Sequence, residues 1–297
     1  MLILDTVNRL TRRAVSLGGG RAVSRSVGGH QLHWYEYEGS GNGPPAVFVH
    51  GLGGSANTFF PLFSALRKSH SRLYAPDLPG HGFSPMGGTG PLDIRGHYEV
   101  IKLFLTEVVR EPPVLIGNSM GGAISLQAAI DRPETAGLGL LAPAGAPLGP
   151  EGIAQLERHF HMKGRGDAMR LMRQMMHRVP AGSWLVAHEM MEAFANPVVH
   201  HVLAQTNPDE RMDTAAIRAL TMPITLVWGA SERLLPSRGI DFFRTHLPSH
   251  ARIEVFEKCG HVPMLEQPRR TVRVLEELAG AATRHVHGRF GQAAPGR

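Results

Sequence analysis

The strongest constraint on the fold is an alternation of short apolar runs with segments of helical periodicity between residues 30 and 142. Apolar runs of this length are typical of buried β-strands, and the amphipathic segments between them are typical of covering helices. The candidate strands are QLHWYEYE (31–38), AVFVH (46–50), RLYAP (72–76), PVLI (113–116) and AGLGLLAP (136–143). Strands that alternate with helices form a parallel sheet covered on both faces. The alternation therefore predicts an α/β fold with a mostly parallel central sheet flanked by helices.

The alternation stops between residues 146 and 220, where the patterns are helical and show no clear buried strand. It resumes with a strand at residues 224–229, a helix at 237–246, a strand at 251–257 and a last helix at 269–278. Ligands of open α/β sheets bind at the carboxyl ends of the strands. A helical block between two strands of one sheet can cover that edge. We therefore predict a helical lid inserted after the sixth strand.

Four regions follow from these patterns. We expect an N-terminal amphipathic helix and flexible linker (1–29), an α/β core (30–145 and 221–283), the helical lid (146–220) and a disordered tail (284–297). The linker prediction rests on the glycine-rich stretch GGGRAVSRSVGG, and the tail prediction rests on the polar, glycine-rich end of the chain. At 297 residues the chain is long enough for one core domain with a sizeable insertion.

The stretch GNSMGG (117–122) lies between the apolar run at 113–116 and the helical pattern that follows it. The chain must reverse there within one or two residues, which holds Ser119 in a strained backbone conformation. Gly117 and Gly121 have no Cβ that would collide at such a bend. This G-x-S-x-G pattern is typical of a nucleophile elbow, which presents a serine hydroxyl at the edge of a sheet. The alternative is a glycine-rich turn with an incidental serine.

A second glycine-rich turn, FVHGLGG (48–54), follows the first buried strand. Its glycines allow the backbone to turn and to point N–H groups at a substrate. The oxyanion of an acyl-transfer reaction needs such donors. We expect the backbone N–H groups of Leu52 and of Met120, the residue after the serine, to form this oxyanion hole. The turn DLPGHGFS (77–84) after the next strand is expected to be mostly structural.

Two further residues at predicted strand ends complete a catalytic set. His261 follows a strand and a glycine, and imidazole has the pKa that a base needs near neutral pH. Glu232 is the only carboxylate in the loop after the strand at residues 224–229, and a buried Glu can orient an imidazole as well as an Asp can. The alternative for Glu232 is a surface ion pair with Arg233.

The order Ser119, Glu232, His261 along the chain is the order found in α/β hydrolases. Over residues 30–282 the chain resembles the α/β-hydrolase superfamily. Its motifs HGLGG, DLPGHGFS, GNSMGG, WGASERLLP and GHVPMLEQP are similar to those of bacterial esterases and lipases and of meta-cleavage product (C–C bond) hydrolases. The resemblance implies a serine hydrolase with a Ser-His-Glu triad, an acyl-enzyme and no cofactor. One departure is the acid, which is usually Asp in these branches.

The predicted lid is rich in methionine. The methionines are Met162, Met169, Met172, Met175, Met176, Met190 and Met191. Because methionine is flexible and polarisable, it lines adaptable apolar surfaces. The functional interpretation is an apolar roof over an acyl pocket, and the alternative is an ordinary helix core. The residues predicted to line the substrate pocket are Gly51, Asn118, Met172, Met176 and Val262.

Hydrolysis of a C–C bond in vinylogous 1,5-diketone acids is the main alternative to ester hydrolysis. By resemblance, such enzymes have a glycine-richer oxyanion loop, a lid arginine that grips a carboxylate and a Trp after the catalytic histidine. This chain has Leu52 in the loop and Val262 after the histidine. The candidates for the lid arginine are Arg170, Arg173 and Arg178. Ester hydrolysis is therefore predicted first, and a cofactor-free haloperoxidase or perhydrolase and a non-catalytic ligand-binding scaffold are lesser alternatives.

Composition limits the classes of molecule that the chain is expected to bind. The net charge is +6, and no basic stripe with interleaved aromatics occurs, which argues against nucleic-acid binding. The single cysteine, Cys259, cannot form an internal disulfide and permits a reducing compartment such as the cytoplasm. The lid histidines lack an accompanying set of Cys or Asp ligands, so we expect no metal site. The predicted partner is a small-molecule ester.

Residues 1–17 have an amphipathic helical pattern with arginines opposite the apolar face. Polar residues interrupt the apolar stretch, so we expect no cleaved secretory signal. No apolar run approaches the roughly 18 residues that span a bilayer. The helix either docks on its own domain or lies on a membrane surface. We therefore predict a cytoplasmic protein, with peripheral membrane contact through residues 1–17 in the second case.

Overall fold

An eight-stranded sheet organises the molecule in the computed structural model, which describes residues 11–13, 15–88, 90–207 and 212–290. The strands are β1 (Gly20–Val27), β2 (His30–Glu38), β3 (Ala46–Val49), β4 (Arg72–Pro76), β5 (Val114–Asn118), β6 (Gly137–Leu141), β7 (Ile224–Gly229) and β8 (Arg252–Phe256). Their order in the sheet is β1-β2-β4-β3-β5-β6-β7-β8. β1 pairs with β2 and β2 pairs with β4 in antiparallel register, and the other pairs are parallel.

The four central strands explain why the apolar runs are continuous. Every residue of β3, β5, β6 and β7 is buried, as expected where helices cover both faces of a parallel sheet. Along β3 the side chains alternate between two apolar clusters, with Val47 and Val49 in one and Ala46 and Phe48 in the other. The predicted α/β fold with a mostly parallel sheet is therefore confirmed.

Helices cover both faces of the sheet. They are α1 (Phe60–Leu66), α2 (Ile94–Phe104), α3 (Met120–Asp131), α4 (Gly149–Phe160), α5 (Arg165–Met175), α6 (Ala187–Phe194), α7 (Pro197–Gln205), α8 (Thr214–Arg218), α9 (Arg238–His246), α10 (Pro263–Glu266) and α11 (Pro268–Phe290). α1 and α11 contribute Leu62 and Leu275 to the cluster that contains Phe48. α2 and α3 contribute Phe104 and Ile124 to the cluster on the other face.

Helices α4 to α8 lie in the chain between β6 and β7. We call residues 146–220 the helical segment. Helices α4 to α7 share an apolar cluster that includes Leu171 and Phe194 and that also contains Leu52 and Leu234. Leu52 lies in the loop after β3, and Leu234 lies in the loop after β7. The helical segment therefore packs against loops at the carboxyl edge of the sheet.

The predicted flexible linker within residues 1–29 is wrong, because β1 occupies most of it. β1 pairs with β2 along its whole length, from Gly20 opposite Tyr37 to Val27 opposite His30. Gly28 and Gly29 connect the two strands with φ of 53° and 85°. Two central residues with positive φ are what a tight two-residue hairpin requires. The glycines thus form a hairpin turn.

The described part of the N-terminal helix docks on the domain. Residues 11–13 and 15–17 are helical. Val15 is fully buried in the cluster that contains Tyr37, and the Arg12 guanidinium lies 4.8 Å from the centre of the Phe83 ring. Residues 1–10 lie outside the described residues, and peripheral membrane contact through residues 1–17 stays a prediction. Within the described ranges, no helix is long and apolar enough to cross a membrane.

The last helix is longer than predicted. We expected it to end at residue 278 and to be followed by a disordered tail over 284–297, but α11 continues to Phe290. Ala282 is fully buried, and Val286 packs against the same cluster as Phe48. This packing outweighs the roughly 1 kcal/mol that a glycine such as Gly280 costs inside a helix. The tail prediction is therefore wrong for residues 284–290, and residues 291–297 lie outside the described residues.

Candidate active site

Ser119 lies in a strained bend between β5 and α3. Its backbone has φ of 55° and ψ of −123°, a region that residues with a side chain rarely adopt. A Cβ on Gly117 would lie 2.1 Å from the Gly121 carbonyl oxygen, and a Cβ on Gly121 would lie 2.0 Å from the Val49 carbonyl oxygen. Only glycine fits at either position, so the spacing G-x-S-x-G follows from backbone contact.

The bend is fixed by main-chain hydrogen bonds. The Ser119 N–H donates to the Leu141 carbonyl at 3.2 Å, and the Ser119 carbonyl accepts from the Gly122 and Ala144 N–H groups at 2.8 and 2.9 Å. Asn118 and Met120 on either side are buried, whereas Ser119 is partly exposed. The elbow therefore presents the serine side chain outward from a rigid frame.

His261 and Glu232 form a buried pair at the ends of β8 and β7. The His261 Nδ1–H donates to Glu232 Oε2 at 2.7 Å, and both side chains are only 2% exposed. The other carboxylate oxygen, Oε1, accepts from the Leu234 and Leu235 N–H groups at 2.8 and 3.1 Å. Glu232 thus has a fixed orientation, and it fixes which imidazole nitrogen carries the proton.

Arg233 does not form the surface ion pair that was the alternative for Glu232. Its guanidinium donates to the Arg173 carbonyl at 2.8 Å. The loop after β7 therefore directs the glutamate inward, toward His261, and directs the arginine to the end of α5.

Asn118 connects the serine elbow to the histidine loop. Its side-chain amide donates to the Leu141 carbonyl at 2.9 Å and to the His261 carbonyl at 3.1 Å. Asn118 precedes Ser119 directly, so this contact brings Ser119 and His261 into neighbouring loops at one end of the sheet. Its amide group is committed to backbone carbonyls, a role that the sequence analysis did not anticipate.

The helical segment lies directly against the histidine loop. The His261 N–H donates to the Met175 carbonyl at 2.7 Å. A Cβ on Gly260 would lie 2.5 Å from that same carbonyl oxygen and 3.0 Å from Met176 Cα. Glycine before the histidine is therefore needed for this close approach of the two backbones.

Glu266 bridges the same two parts of the chain. One carboxylate oxygen accepts from the Gly260 N–H at 2.6 Å, and the other accepts from the His177 N–H at 2.8 Å. The side chain therefore holds the residue before His261 and the residue after Met176 together. Glu266 was not among the predicted site residues, and its position five residues after His261 in GHVPMLEQP is the one signal for it.

His50 supports the loop that contains Gly51 and Leu52. Its Nε2 accepts from the Leu78 N–H at 2.9 Å, so its Nδ1–H donates to the Gly51 carbonyl at 2.8 Å. Burial lowers the pKa of His50, which favours the neutral ring that this pair of contacts requires. This role of His50 was not predicted, although the histidine directly precedes the Gly51 turn in the sequence.

The predicted oxyanion-hole residues lie on two sides of Ser119. Met120 is the first residue of α3, so its N–H has no acceptor within the helix and lies at the positive end of the helix dipole. Gly51, in the other loop, is so close that an added Cβ would lie 3.0 Å from Ser119 Cβ. Leu52 follows Gly51 and packs against the helical segment.

The remaining predicted pocket residues lie around the histidine loop. Val262 and Met172 are buried, and Met176 is partly buried beside the cluster that contains Val262. A small apolar cleft, which was not predicted, lies between residues 143–148 and the start of α9. It begins beside Ala144, whose N–H binds the Ser119 carbonyl.

A cysteine nucleophile and a metal site both find little support in the described part of the chain. Burial raises the pKa of the Cys259 thiol to about 12, so this thiol is protonated and not a nucleophile near neutral pH. No group of three or more His, Cys, Asp or Glu side chains among the described residues is arranged to hold a metal ion.

A second buried histidine–carboxylate pair is formed by His33 of β2 and Asp77, which follows β4. The His33 Nδ1–H donates to Asp77 Oδ2 at 2.9 Å, and both side chains are 1% exposed. Asp77 also accepts from the Ala56 and Phe83 N–H groups at 2.7 and 2.9 Å. The pair joins β2 to the turns after β3 and β4.

Residues 46–274 match the alpha/beta hydrolase family, and the chain belongs to that family. It is 31% identical over 284 residues to the dihydrolipoyllysine-residue acetyltransferase component of the acetoin cleaving system of Pseudomonas putida. This alignment covers 88% of this chain and 71% of that protein. It is also 25% identical over 264 residues to a pimeloyl-(acyl-carrier protein) methyl ester esterase of Aeromonas hydrophila subsp. hydrophila. This alignment covers 81% of this chain and 97% of that protein.

Solved structures agree with the fold. A membrane phospholipase A described as a bacterial virulence factor aligns with a TM-score of 0.80 at 24% identity, over 95% of this chain and 91% of that chain. The 2-hydroxy-6-oxo-6-phenylhexa-2,4-dienoate hydrolase of Rhodococcus sp. strain RHA1 aligns with a TM-score of 0.76 at 23% identity, over 88% and 100%. The family and these neighbours together support a hydrolase.

Proposed function

We propose that the chain is a serine hydrolase that cleaves carboxylic esters, with Ser119 as nucleophile, His261 as base and Glu232 as the acid of the triad. The observation that carries the proposal is the buried His261–Glu232 pair, which Asn118 ties to the serine elbow. A base held in one tautomer beside a strained, outward-facing serine is the arrangement that nucleophilic acyl transfer requires.

In the first step, His261 Nε2 takes the Ser119 hydroxyl proton while Oγ attacks the ester carbonyl carbon. The carbonyl oxygen becomes an oxyanion. Collapse of this intermediate breaks the bond to the alcohol oxygen, which takes the proton from His261 and leaves as the alcohol. Glu232 stabilises the imidazolium between these events, because its carboxylate accepts the Nδ1–H throughout.

The oxyanion is assigned to the backbone N–H groups of Leu52 and Met120. A donor of this kind lowers the barrier by about 2.7–4 kcal/mol. Support comes from the position of Met120 at the start of α3 and from the close approach of Gly51 to Ser119. His50 fixes the Gly51 carbonyl, so the loop does not have to reorganise during the reaction.

In the second step, His261 takes a proton from water, and the resulting hydroxide attacks the acyl carbon. The bond to Ser119 Oγ breaks, the serine recovers its proton from His261, and the carboxylic acid is released. No cofactor takes part in either half of the cycle.

We propose that the helical segment is a lid over an apolar acyl site. Phe194 supports this, because a Cβ on Gly53 would lie 2.4 Å from its ring, so the segment touches the oxyanion loop as well as the histidine loop. Met172, Met176 and Val262 are the residues we assign to the apolar wall. An apolar wall favours esters with aliphatic or aromatic acyl groups.

C–C bond hydrolysis is a weaker proposal because the arginines that could bind a substrate carboxylate are exposed on the surface. Arg170 pairs with Asp167 at 2.8 Å and is 61% exposed. Arg173 and Arg178 are exposed as well. A carboxylate grip at any of the three would leave the substrate in solvent.

The test is a substrate panel on the purified chain, with p-nitrophenyl esters of short and long acyl groups beside a vinylogous 1,5-diketone acid. We expect turnover of the esters, none of the diketone acid, and loss of ester turnover in Ser119→Ala. Turnover of the diketone acid alone would replace ester hydrolysis by C–C cleavage. Equal ester turnover by Ser119→Ala would overturn the serine mechanism.

A further inference from the structure

The helical segment carries an exposed apolar turn that the proposed reaction does not use. Residues Ser183–Val186 form a short 3-10 turn just before α6. Trp184 is 52% exposed and Leu185 is 68% exposed, and Val186 beside them is exposed as well. Three consecutive large apolar side chains in solvent are unusual for a surface that only faces water.

The turn keeps its shape without packing these side chains. The Ser183 hydroxyl donates to the Pro180 carbonyl at 2.8 Å, and the Leu185 N–H donates to the Gly182 carbonyl at 2.9 Å. Gly182 supplies the left-handed conformation at the start of the turn, with φ of 84°. The backbone thus holds Trp184 and Leu185 outward.

The chain around the exposed turn is rich in cations. Residues 161–190 contain five Lys and Arg side chains and two carboxylates. Of the carboxylates, Glu189 is buried and Asp167 forms an ion pair with Arg170. The Arg165 guanidinium lies 5.9 Å from the centre of the Trp184 ring. The other exposed cations in this range are Lys163, Arg173 and Arg178.

We propose that the surface formed by Trp184, Leu185 and Val186 with Arg165, called here the Trp184 surface, docks on an anionic lipid surface. Tryptophan is favoured where an apolar region meets water, and Leu and Val fit the acyl boundary below it. The arginine beside them complements anionic headgroups. A second copy of the chain is a poorer occupant, because it would bring like charges together.

Docking there would place a lipid beside the machinery of the proposed reaction. α5 contacts the turn that carries Trp184, and Met175 at the end of α5 accepts from the His261 N–H. Binding is a property of the surface alone, so it is measured without any turnover. Failure of lipid binding and failure of ester hydrolysis are therefore separate results.

The experiment uses the fluorescence of Trp184. The chain has three tryptophans, and Trp34 and Trp228 are buried. Vesicles of phosphatidylcholine with 30% phosphatidylglycerol are expected to shift the Trp184 emission to shorter wavelength, and acyl-brominated lipid is expected to quench it. Vesicles of phosphatidylcholine alone are expected to give a small change, and high salt is expected to reduce the shift.

Co-sedimentation with the same vesicles compares variants. We expect the double variant Trp184→Ser, Leu185→Ser to lower partitioning at least ten-fold. Arg165→Gln is expected to lower it about five-fold. The matched controls are Leu265→Ser, on a different exposed side chain, and Leu17→Ser, on the N-terminal helix. Unchanged melting temperature and hydrolysis of a short soluble ester show that each variant is folded.

Four results would overturn the proposal. Unchanged partitioning of the double variant would show that the turn is not the contact. An equal loss in Leu17→Ser would assign the contact to the N-terminal helix instead. Equal binding to vesicles with and without phosphatidylglycerol would show that the surface does not recognise anionic lipid. Dimers that form without lipid and depend on Trp184 would show that the surface binds a second copy of the chain.

Discussion

The molecule contains two buried histidine–carboxylate pairs that are nearly alike in local chemistry. In both, a histidine Nδ1–H donates to a carboxylate, at 2.7 Å for His261–Glu232 and at 2.9 Å for His33–Asp77. In both, backbone N–H groups complete the contacts of the carboxylate. Pairing and burial alone therefore cannot distinguish a catalytic histidine from a structural one.

The surroundings of the two histidines differ. His33 Nε2 is buried with no hydrogen-bond partner, and the ring packs against Tyr35 and Phe83. His261 lies in a loop that Asn118 ties to the elbow of Ser119. What separates the pairs is this connection to the strained elbow of Ser119. The following predictions test that distinction from the largest expected effect to the smallest.

Alanine substitution should affect different quantities at the two histidines. We expect His261→Ala to lower kcat for an ester by roughly four to six orders of magnitude, because the proposed base is lost. We expect His33→Ala to leave kcat within a few-fold and to lower the free energy of unfolding by about 1.5–3 kcal/mol, because Asp77 loses a buried donor. Steady-state kinetics and urea unfolding of both variants make the comparison. A large kcat loss in His33→Ala without loss of stability would contradict it.

Amide substitution of the two acids is the next test. In Glu232→Gln, the Leu234 and Leu235 N–H groups keep the side-chain oxygen on their side, so the new NH₂ group faces His261. The imidazole must then carry its proton on Nε2, where it cannot take the serine proton. We expect kcat to fall by about two to four orders of magnitude with the fold intact.

The matched variant is Asp77→Asn. We expect it to lower stability by about 1–3 kcal/mol, because one NH₂ group meets backbone or ring donors, and to leave kcat within a few-fold. Near-wild-type kcat in Glu232→Gln would mean that another carboxylate serves the proposed triad.

A smaller effect is expected from Glu266, which supports the histidine loop without touching the imidazole. Glu266→Ala leaves the Gly260 and His177 N–H groups without their acceptor. We expect kcat to fall about ten- to hundred-fold, since small misplacement of a reacting group is costly. Glu266→Gln should recover part of the loss, because it keeps one acceptor oxygen. Glu134→Ala, at a surface carboxylate paired with Arg132, is the control and should be neutral; a neutral Glu266→Ala would remove the positioning role.

The smallest effect concerns pH and two buried histidines outside both pairs. Burial lowers the pKa of His81 and of His97 to about 3. The unfolded chain, with histidine pKa values near 6.5, binds more protons below that pH, so stability is complete above about pH 6.5 and is lost as pH falls toward 3. Between pH 7.5 and 5.5 we expect each histidine to cost on the order of 1 kcal/mol.

Urea unfolding at both pH values measures this loss. The variant His97→Leu should weaken the pH dependence, since neither ring nitrogen of His97 has a hydrogen-bond partner to lose. An unchanged pH dependence in His97→Leu would show that His97 does not contribute to acid sensitivity.

The sequence was most informative where local chemistry sets the pattern. The elbow at Ser119 requires glycines on both sides, so the five-residue pattern G-x-S-x-G is enough to predict this bend. β1 was missed because Gly28 and Gly29 look like a linker, while the pairing that defines them lies in β2. The end of α11 was not predicted because burial of Ala282 stabilises it. Helix propensity, which depends on local sequence, does not include this tertiary contact.

The supporting residues of the site show the same limit. Asn118 and His261 are 143 positions apart, and their hydrogen bond depends on the completed sheet. The contacts of His50 with the Leu78 N–H and of Glu266 with the His177 N–H also join distant segments. Residue types and spacing indicated which groups react, and only the assembled backbone shows what orients them.

The most direct test of the central claim is fluorophosphonate labelling of the purified chain, followed by intact mass measurement and peptide mapping. If Ser119 is the activated nucleophile, one adduct forms per chain, it maps to Ser119, and Ser119→Ala stays unlabelled. His261→Ala should label far more slowly at the same site. An adduct on another residue, or equal labelling of Ser119→Ala, would contradict the account.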